Sequence, residues 1–315
     1  MDVLCIGMLA TDILVKSVDR IDYNIDTVRV NQISINNGGD SLNTAISMSK
    51  LGMKVSFAGK VGEDILGDFL FNVAKNYGID TRGLKISVED STTSCIALLN
   101  NTGNRTFLYY GGTNDTFSYE DLDTSLIDEC DIVHVGGTFG LPLFDGEGAS
   151  NVFKLAKSKG KLTSMDVTWD TTGRWLEIIR PCLNHLDFFM PSINEAKRIT
   201  KKEKPKEIVE FMQNEGVKVI VIKLGKEGCY VKGSEEGFYF PAFDVNVIDT
   251  TGAGDSFVAG FLTGVLKKWE LRECAQFASA VSAFCIQQIG ATTNVSGYDE
   301  VIRFIENYKN KKKEV

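Results

Sequence analysis

The stretch "NVIDTTGAGDSFVAGF", residues 246–261, places a glycine-rich turn directly before apolar residues at helical spacing. At the start of a helix the backbone N–H groups are unpaired and the helix dipole favours negative charge, so small residues let an anion approach closely. In a plainer interpretation, Gly252 and Gly254 only turn the chain and Asp255 caps the helix. Asp249 and Asp255, however, would repel a phosphate. Their presence is better explained if one binds a cation and the other accepts a proton.

The sequence lacks three familiar nucleotide-binding signatures. It contains no G-x-x-x-x-G-K-[ST] loop, no H-R-D or D-F-G set and no G-x-G-x-x-G turn. These motifs are typical of P-loop proteins, protein kinases and dinucleotide-binding enzymes. Phosphate chemistry at the turn therefore requires another family.

The rest of the chain alternates short β-rich runs with helical patterns. The runs include "VLCIGML", "KVSFAG", "DIVHVGG", "KLTSMDV", "LDFFMP" and "VKVIVIKLG". Such alternation predicts an α/β fold, with a mostly parallel sheet covered by helices on both faces.

Residues 25–36 and 85–110 break the alternation, because both are β-like without an intervening helix. The run "SCIALLNNTGNRTFLYY" within the second segment predicts a hairpin. These segments should form a small separate sheet that covers a ligand cleft or pairs with a second subunit. We therefore expect one domain spanning residues 1–315, with a lid formed by about 12–36 and 85–112.

Composition narrows the functional classes. The chain is 43% apolar, and its formal net charge of −8 disfavours nucleic-acid binding through a generally basic surface. Seven cysteines without a C-x-x-C spacing indicate buried thiols in a reducing compartment. Two histidines offer little material for a histidine metal site. With no basic leader or membrane-length apolar run, we expect a cytoplasmic protein without membrane contact.

Two glycine motifs carry a family resemblance. "DTTGAGDSFVAGF" resembles the C-terminal signature of the ribokinase-like (PfkB) kinases, and "NNGGDSLNTAISMSKLG" resembles their N-terminal motif. The resemblance implies a three-layer α/β/α sandwich with a small β-sheet lid. It also implies an ATP-dependent kinase that acts on a sugar hydroxyl. The GGD variant is similar to bacterial sugar kinases of unassigned specificity.

The resemblance assigns roles to individual residues. Asp255 would be the general base, with the turn residues Gly252, Ala253 and Gly254 forming an anion hole. ATP would contact Ser192, Lys223, Gly225, Gly228 and Ser279. Glu195 would be linked to Mg²⁺, and a monovalent cation, expected to be K⁺, would lie near Asp249, Thr251, Gly290 and Asn294. The sugar would contact Asp12, Gly38, Gly39, Asp40, Asn43 and Arg105.

The sequence leaves several alternative functions open. A nucleoside kinase of the same family is favoured if Tyr109, Phe139 or Trp169 stacks on a base. A sugar phosphate would require basic residues near the site, for which Arg29 and Arg105 are the candidates. A third hypothesis is a ligand-binding regulator without turnover. The lid is also a candidate interface for a homodimer.

Overall fold

A computed structural model describes residues 1–21, 24–100 and 105–313. Its main feature is a nine-stranded sheet. In chain order, the strands of this sheet are β1 (Val3–Gly7), β4 (Val55–Gly62), β5 (Asp80–Ser87), β8 (Ile132–Thr138), β9 (Leu162–Val167), β10 (Phe188–Phe189), β11 (Val219–Lys223), β12 (Cys229–Lys232) and β13 (Phe238–Phe240). Their order across the sheet is β13-β12-β11-β10-β9-β8-β1-β4-β5.

The sheet is parallel from β5 to β11, and only β12 and β13 pair in antiparallel fashion. Every residue of β1 and β8 is buried. This burial explains why these strands are mostly apolar in sequence, because helices cover both faces of a parallel sheet. The carboxyl ends of the parallel strands meet at one edge, where α/β proteins usually bind ligands.

Ten helices of at least five residues are present in the described ranges. They are α1 (Asp40–Lys50), α2 (Ile65–Asn76), α3 (Gly112–Thr116), α4 (Glu147–Ser158), α5 (Leu176–Leu183), α6 (Ile193–Thr200), α7 (Pro205–Asn214), α8 (Ala253–Leu266), α9 (Leu271–Cys285) and α10 (Tyr298–Lys313). One apolar core lies between the sheet and α1, α2, α8, α9 and α10, and a second core lies under α4 to α7. The three layers confirm the predicted fold class.

A separate four-stranded sheet contains β2 (Ala10–Lys16), β3 (Gln32–Gly38), β6 (Ser94–Leu99) and β7 (Arg105–Tyr110), in the order β3-β2-β6-β7. β6 and β7 form the expected hairpin, and residues 101–104 of its turn lie outside the described residues. The expected second lid segment began too early at residue 85, since residues 85–87 still pair with β4 in the large sheet.

The cysteines and the buried histidine are part of the interior. All seven cysteines are free thiols, and all except Cys95 are buried. The imidazole of His134 lies 3.1 Å from the hydroxyl of Ser164, and burial lowers its pKa to about 3. Across the described ranges, no helix is both long and apolar enough to span a membrane.

Candidate active site

The glycine turn opens α8 at the carboxyl edge of the large sheet. Gly252 precedes the helix in the left-handed conformation, with a φ of 74°. A Cβ atom on Gly252 would lie 2.3 Å from the carbonyl oxygen of Ala291, so this position requires glycine. The N–H of Ala253 donates to the carbonyl of Thr250 at 3.2 Å and closes the turn. The sequence prediction had assigned this N–H to the anion.

Asp255 lies in the first turn of α8 and is 8% exposed. Its Oδ2 accepts a hydrogen bond of 2.9 Å from the side-chain amide of Asn43 on α1. Burial raises the pKa of Asp255 to about 7, and the charge of Asp166 adds to this shift. Asn43 and Lys223 oppose it. A carboxylate with this pKa suits proton transfer near neutral pH.

Lys223, the last residue of β11, holds Asp166 on β9. Its Nζ lies 2.9 and 2.8 Å from the two carboxylate oxygens of Asp166, whose side chain is only 3% exposed. The same ammonium lies 3.2 Å from the position that a Cβ of Gly254 would occupy. A fixed positive charge therefore lies beside the turn, where a transferring phosphoryl group would need it.

Ser192 and Glu195 form a capping box at the start of α6. The Oε2 of Glu195 accepts from the N–H of Ser192 at 2.7 Å, and the hydroxyl of Ser192 accepts from the N–H of Glu195 at 3.4 Å. Burial raises the pKa of Glu195, and Lys223 opposes the rise. The charges of Lys223 and Asp166 both act on this carboxylate, and the cap is compatible with a second role.

A cavity of about 630 Å³ leads from the turn after β11 to the start of α8, a size typical of small-molecule sites. Four predicted residues line it: Gly225, Gly228, Ala253 and Ser279. Ser192 and Lys223 are not part of its lining. Sequence reasoning missed its apolar wall, which includes Phe243, Val245, Val247, Phe257 and Ile286.

Gly228 has a structural role in addition to lining this cavity. Its φ is 93°, and a Cβ there would lie 2.0 Å from the carbonyl oxygen of Phe240. Gly225 also has positive φ but faces open space. Of the two, only Gly225 lies where a ligand could approach the backbone without a neighbouring strand in the way.

The predicted monovalent-cation residues come together behind the turn. Asp249 Oδ1 accepts from the N–H and the hydroxyl of Thr251 at 3.0 and 2.7 Å, and its Oδ2 accepts from the N–H of Gly290 at 3.2 Å. Asn294 lies on the same loop, where its amide donates to the carbonyl of Phe284 at 2.6 Å.

The predicted sugar-binding residues cluster where the small sheet meets α1. The carboxylate of Asp12 occupies the space above Gly38, and burial raises its pKa to about 6. Gly39 has a φ of 88°, and its missing side chain leaves room for the backbone of Leu9. Burial, followed by the charge of Asp255, raises the pKa of Asp40 well above its usual value. The side chain of Arg105 lies outside the described residues.

No cluster of three or more His, Cys, Asp or Glu side chains in residues 1–21, 24–100 and 105–313 could hold a metal ion alone. Asp40, Asp166, Glu195 and Asp255 nevertheless influence one another electrostatically around Lys223. The arrangement is thus a buried carboxylate and an ammonium group beside a helix start, whose residue Ala253 lines the cavity.

Comparison with known proteins agrees with this geometry. Residues 1–296 match the model of the pfkB family carbohydrate kinases. The chain belongs to this family. The pfkB kinases transfer a phosphoryl group to sugar hydroxyls. The family resemblance read from the two glycine motifs is therefore confirmed.

Two relatives illustrate the range of the family. A sugar kinase of uncharacterised specificity from Archaeoglobus fulgidus is 28% identical over 246 residues, which cover 78% of this chain and 96% of the relative. A nucleoside kinase from Methanothermobacter thermautotrophicus is 26% identical over 302 residues, covering 96% and 94%.

A solved structure shares the fold over nearly the whole chain. It is that of a candidate ribokinase II from E. coli in complex with ATP and Mg²⁺, with a TM-score of 0.84 and 20% identity. The similarity covers 97% of this chain and 99% of the E. coli protein.

Proposed function

We propose that the protein is an ATP-dependent kinase that phosphorylates a hydroxyl of a sugar. The observation that carries the proposal is the buried Asp255 carboxylate in the first turn of α8, with Lys223 beside the glycine turn and Ala253 of that turn lining the cavity. Asp255 accepts the proton of the hydroxyl. The hydroxyl oxygen bonds to the γ-phosphorus, the bond to the bridging oxygen breaks, and its electron pair leaves with ADP.

The N–H groups of Gly252, Gly254 and Asp255 stabilise the charge on the transferring group, as donors aimed at developing charge do. Lys223 adds a positive charge close to the same place. Ser279, Gly225 and Gly228 border the nucleotide in the cavity, whose size and apolar wall support this assignment.

Two metal ions complete the proposal. Glu195 would supply a carboxylate oxygen, the kind of ligand that Mg²⁺ prefers, and the ion would neutralise phosphate charge when it is bound with ATP. Potassium is assigned to the loop that contains Asp249, Thr251, Gly290 and Asn294. The convergence of Asp249 with Thr251 and Gly290 supports this position.

The acceptor is an unphosphorylated polyol. Asp12 and Asp40 offer acceptors for sugar hydroxyls next to Gly38 and Asn43. A second phosphate at this end would face several carboxylates, and like charges at short distance are unfavourable. We assign the small sheet, which carries Asp12, to the role of a lid.

A nucleoside is the second candidate acceptor, because of the position of Tyr109. This residue pairs with Cys95, which pairs with Asp12, so all three side chains share one face of the small sheet. Tyr109 is 50% exposed and could stack on a base. Phe139 and Trp169 instead pack against Trp175.

The opposite face of the small sheet supports a homodimer. Ile13 pairs with Ile35 and Ile96, and Ile96 pairs with Leu108, which gives a continuous aliphatic row. Ile35 and Leu108 are each 52% exposed. We propose that this row, the outer lid face, packs against a second copy, since exposed apolar patches of this kind mark interfaces.

ADP release by the purified protein tests the function. The assay supplies Mg²⁺ and ATP in KCl or in NaCl, with a panel of pentoses, hexoses, sugar acids, sugar phosphates and nucleosides, and a blank without acceptor. Turnover of one free sugar, stimulated by K⁺, is the expected result. Turnover of a nucleoside alone would select the second candidate. Turnover of a sugar phosphate alone, or ATP binding without any turnover, would contradict the proposal.

A further inference from the structure

Three side chains link the loop after α9 to Asp255 through hydrogen bonds. Thr292 Oγ1 lies 3.4 Å from the amide nitrogen of Asn37, at the end of β3. The same nitrogen donates to Asn43 Oδ1 at 2.9 Å. Asn43 Nδ2 in turn donates to Asp255 Oδ2 at 2.9 Å. Asn37 thus lies at the junction of the small sheet, the loop and α1.

The direction of donation along these hydrogen bonds follows from Asp255, where the series ends. An ionised carboxylate can only accept hydrogen bonds, so Asn43 must present its NH₂ group to Asp255. Its carbonyl oxygen then faces Asn37 and needs a donor. Asn37 supplies that donor with an amino group whose two hydrogens serve Asn43 and Thr292. Without Asn37, the carbonyl oxygen of Asn43 would lose this donor, and only Asp255 would hold the amide in its orientation.

Lys50 holds the loop at the end of this hydrogen-bond series that lies farthest from Asp255. From the last turn of α1, its Nζ donates to the carbonyl oxygens of Thr292 at 2.6 Å and of Thr293 at 3.1 Å. Thr292 is itself buried. The hydroxyl that meets Asn37 therefore sits on a fixed piece of backbone, and the loop that carries Gly290 is connected to the base.

We propose that Asn37 is a positioning residue for the base, which fixes the amide of Asn43 so that its NH₂ group points at Asp255. The proposal rests on the proposed function in that Asp255 is taken as the base. Asn37 itself acts only through Asn43. A shift of the loop that holds Thr292 would therefore reach the base through the same hydrogen bonds.

The charge around Asp255 makes this orientation consequential. Asp40 from α1, Asp166 from β9 and Glu195 from α6 place negative charge near it, and Lys223 from β11 places positive charge there. Asn43 is the neutral side chain whose hydrogen bond favours the ionised form. A reversed amide would turn a carbonyl oxygen toward the carboxylate, so the pKa of Asp255 would rise.

A double-mutant cycle tests the route of action. Asn37→Leu is expected to lower kcat/KM about tenfold at pH 6 and to move its acid limb up by about one pH unit, with the KM for ATP little changed. In the Asn43→Ala background the same substitution should have almost no further effect, because its only route is already lost. Asn31→Leu, which removes a hydrogen bond to Ser17 just before β3, is the matched control.

Equal losses from Asn37→Leu in both backgrounds, with an unmoved acid limb, would overturn the proposal in favour of a general structural role. Melting temperatures of all variants check that each one folds.

A titration that needs no turnover separates this proposal from the function. In protein labelled with ¹³C at the aspartate carboxyls, the resonance lost in Asp255→Asn identifies Asp255. Its midpoint, about 7 in the wild type, should rise by about one unit in Asn37→Leu. An unchanged midpoint would refute the positioning role. A raised midpoint in a protein that phosphorylates no acceptor would refute the proposed function and leave the positioning role intact.

Discussion

Replacing Lys223 by methionine should destabilise the fold strongly, because it leaves Asp166 buried without its partner. At the observed 2.8 Å, the attraction between the two charges is about 6 kcal/mol at an effective dielectric constant of 20. The cost of burying both charges offsets part of this energy. Removal of one partner from such a pair typically costs about 3–5 kcal/mol. For a chain of this size, the melting temperature should fall by roughly 10 °C.

The double variant Lys223→Met with Asp166→Asn provides the control. It removes both charges, so its melting temperature should recover most of the loss. Differential scanning calorimetry or tryptophan fluorescence at pH 7 gives both values. The ion pair does not stabilise the fold in this way if the melting temperature of the double variant falls by the sum of the losses in Lys223→Met and Asp166→Asn. The same holds if Lys223→Met melts like the wild type.

Three other predictions concern Asp255, the glycine turn and the outer lid face. The pKa of Asp255 lies at about 7 in the folded protein instead of 3.8. Its contribution to the stability of the fold is therefore complete below pH 4 and is lost as the pH rises through 7. Thermal melts of Asp255→Asn should match the wild type at pH 4 and show a fold more stable by a few kcal/mol at pH 8. Gly252→Ala should lower kcat by about 100-fold and melt early, whereas Gly78→Ala, with a φ of 70° and open space around it, controls for the positive φ alone. Ile35→Glu on the outer lid face should halve the mass measured by light scattering, while Ile65→Glu, at an 85% exposed site, should not.

The sequence is informative about the fold for a physical reason. Strands buried on both faces are mostly apolar, so β1 and residues 219–222 of β11 stand out as apolar runs, and β8 as an apolar run interrupted by His134. The positive φ values of Gly39 and Gly252 likewise show in the sequence as glycines in two motifs. The boundary of the small sheet was less accurate, because residues 85–87 have strand-like composition in either sheet.

Contacts between distant parts of the chain were beyond prediction from the sequence. Lys223 and Asp166 meet only because β10 separates their strands by the right distance in the sheet. Asn37 and Thr292 are 255 residues apart, and each looks like an ordinary loop or strand-end residue. Ser192 was predicted only as an ATP contact, and the structure shows that it also caps α6.

The accumulation of carboxylates around Asp255 fits a site that exchanges stability for activity. Burial and the charge of Asp166 keep the pKa of Asp255 close to neutrality, and Lys223 limits the rise. A protein selected for stability alone would gain by removing such charges, since buried ionisable groups are costly unless they are paired. Their presence beside a glycine turn is best explained by proton transfer.

The rate of phosphoryl transfer by Asp255→Asn, compared with the wild type on the preferred acceptor, measures what the Asp255 carboxylate contributes to catalysis. The substitution keeps the shape of the side chain and its contact with Asn43, and it removes the base. If Asp255 is the base, kcat falls roughly 10²- to 10⁴-fold, while the affinity for ATP measured by calorimetry stays close to that of the wild type. An Asp255→Asn protein that turns over at the wild-type rate would contradict the assignment of Asp255 as the base.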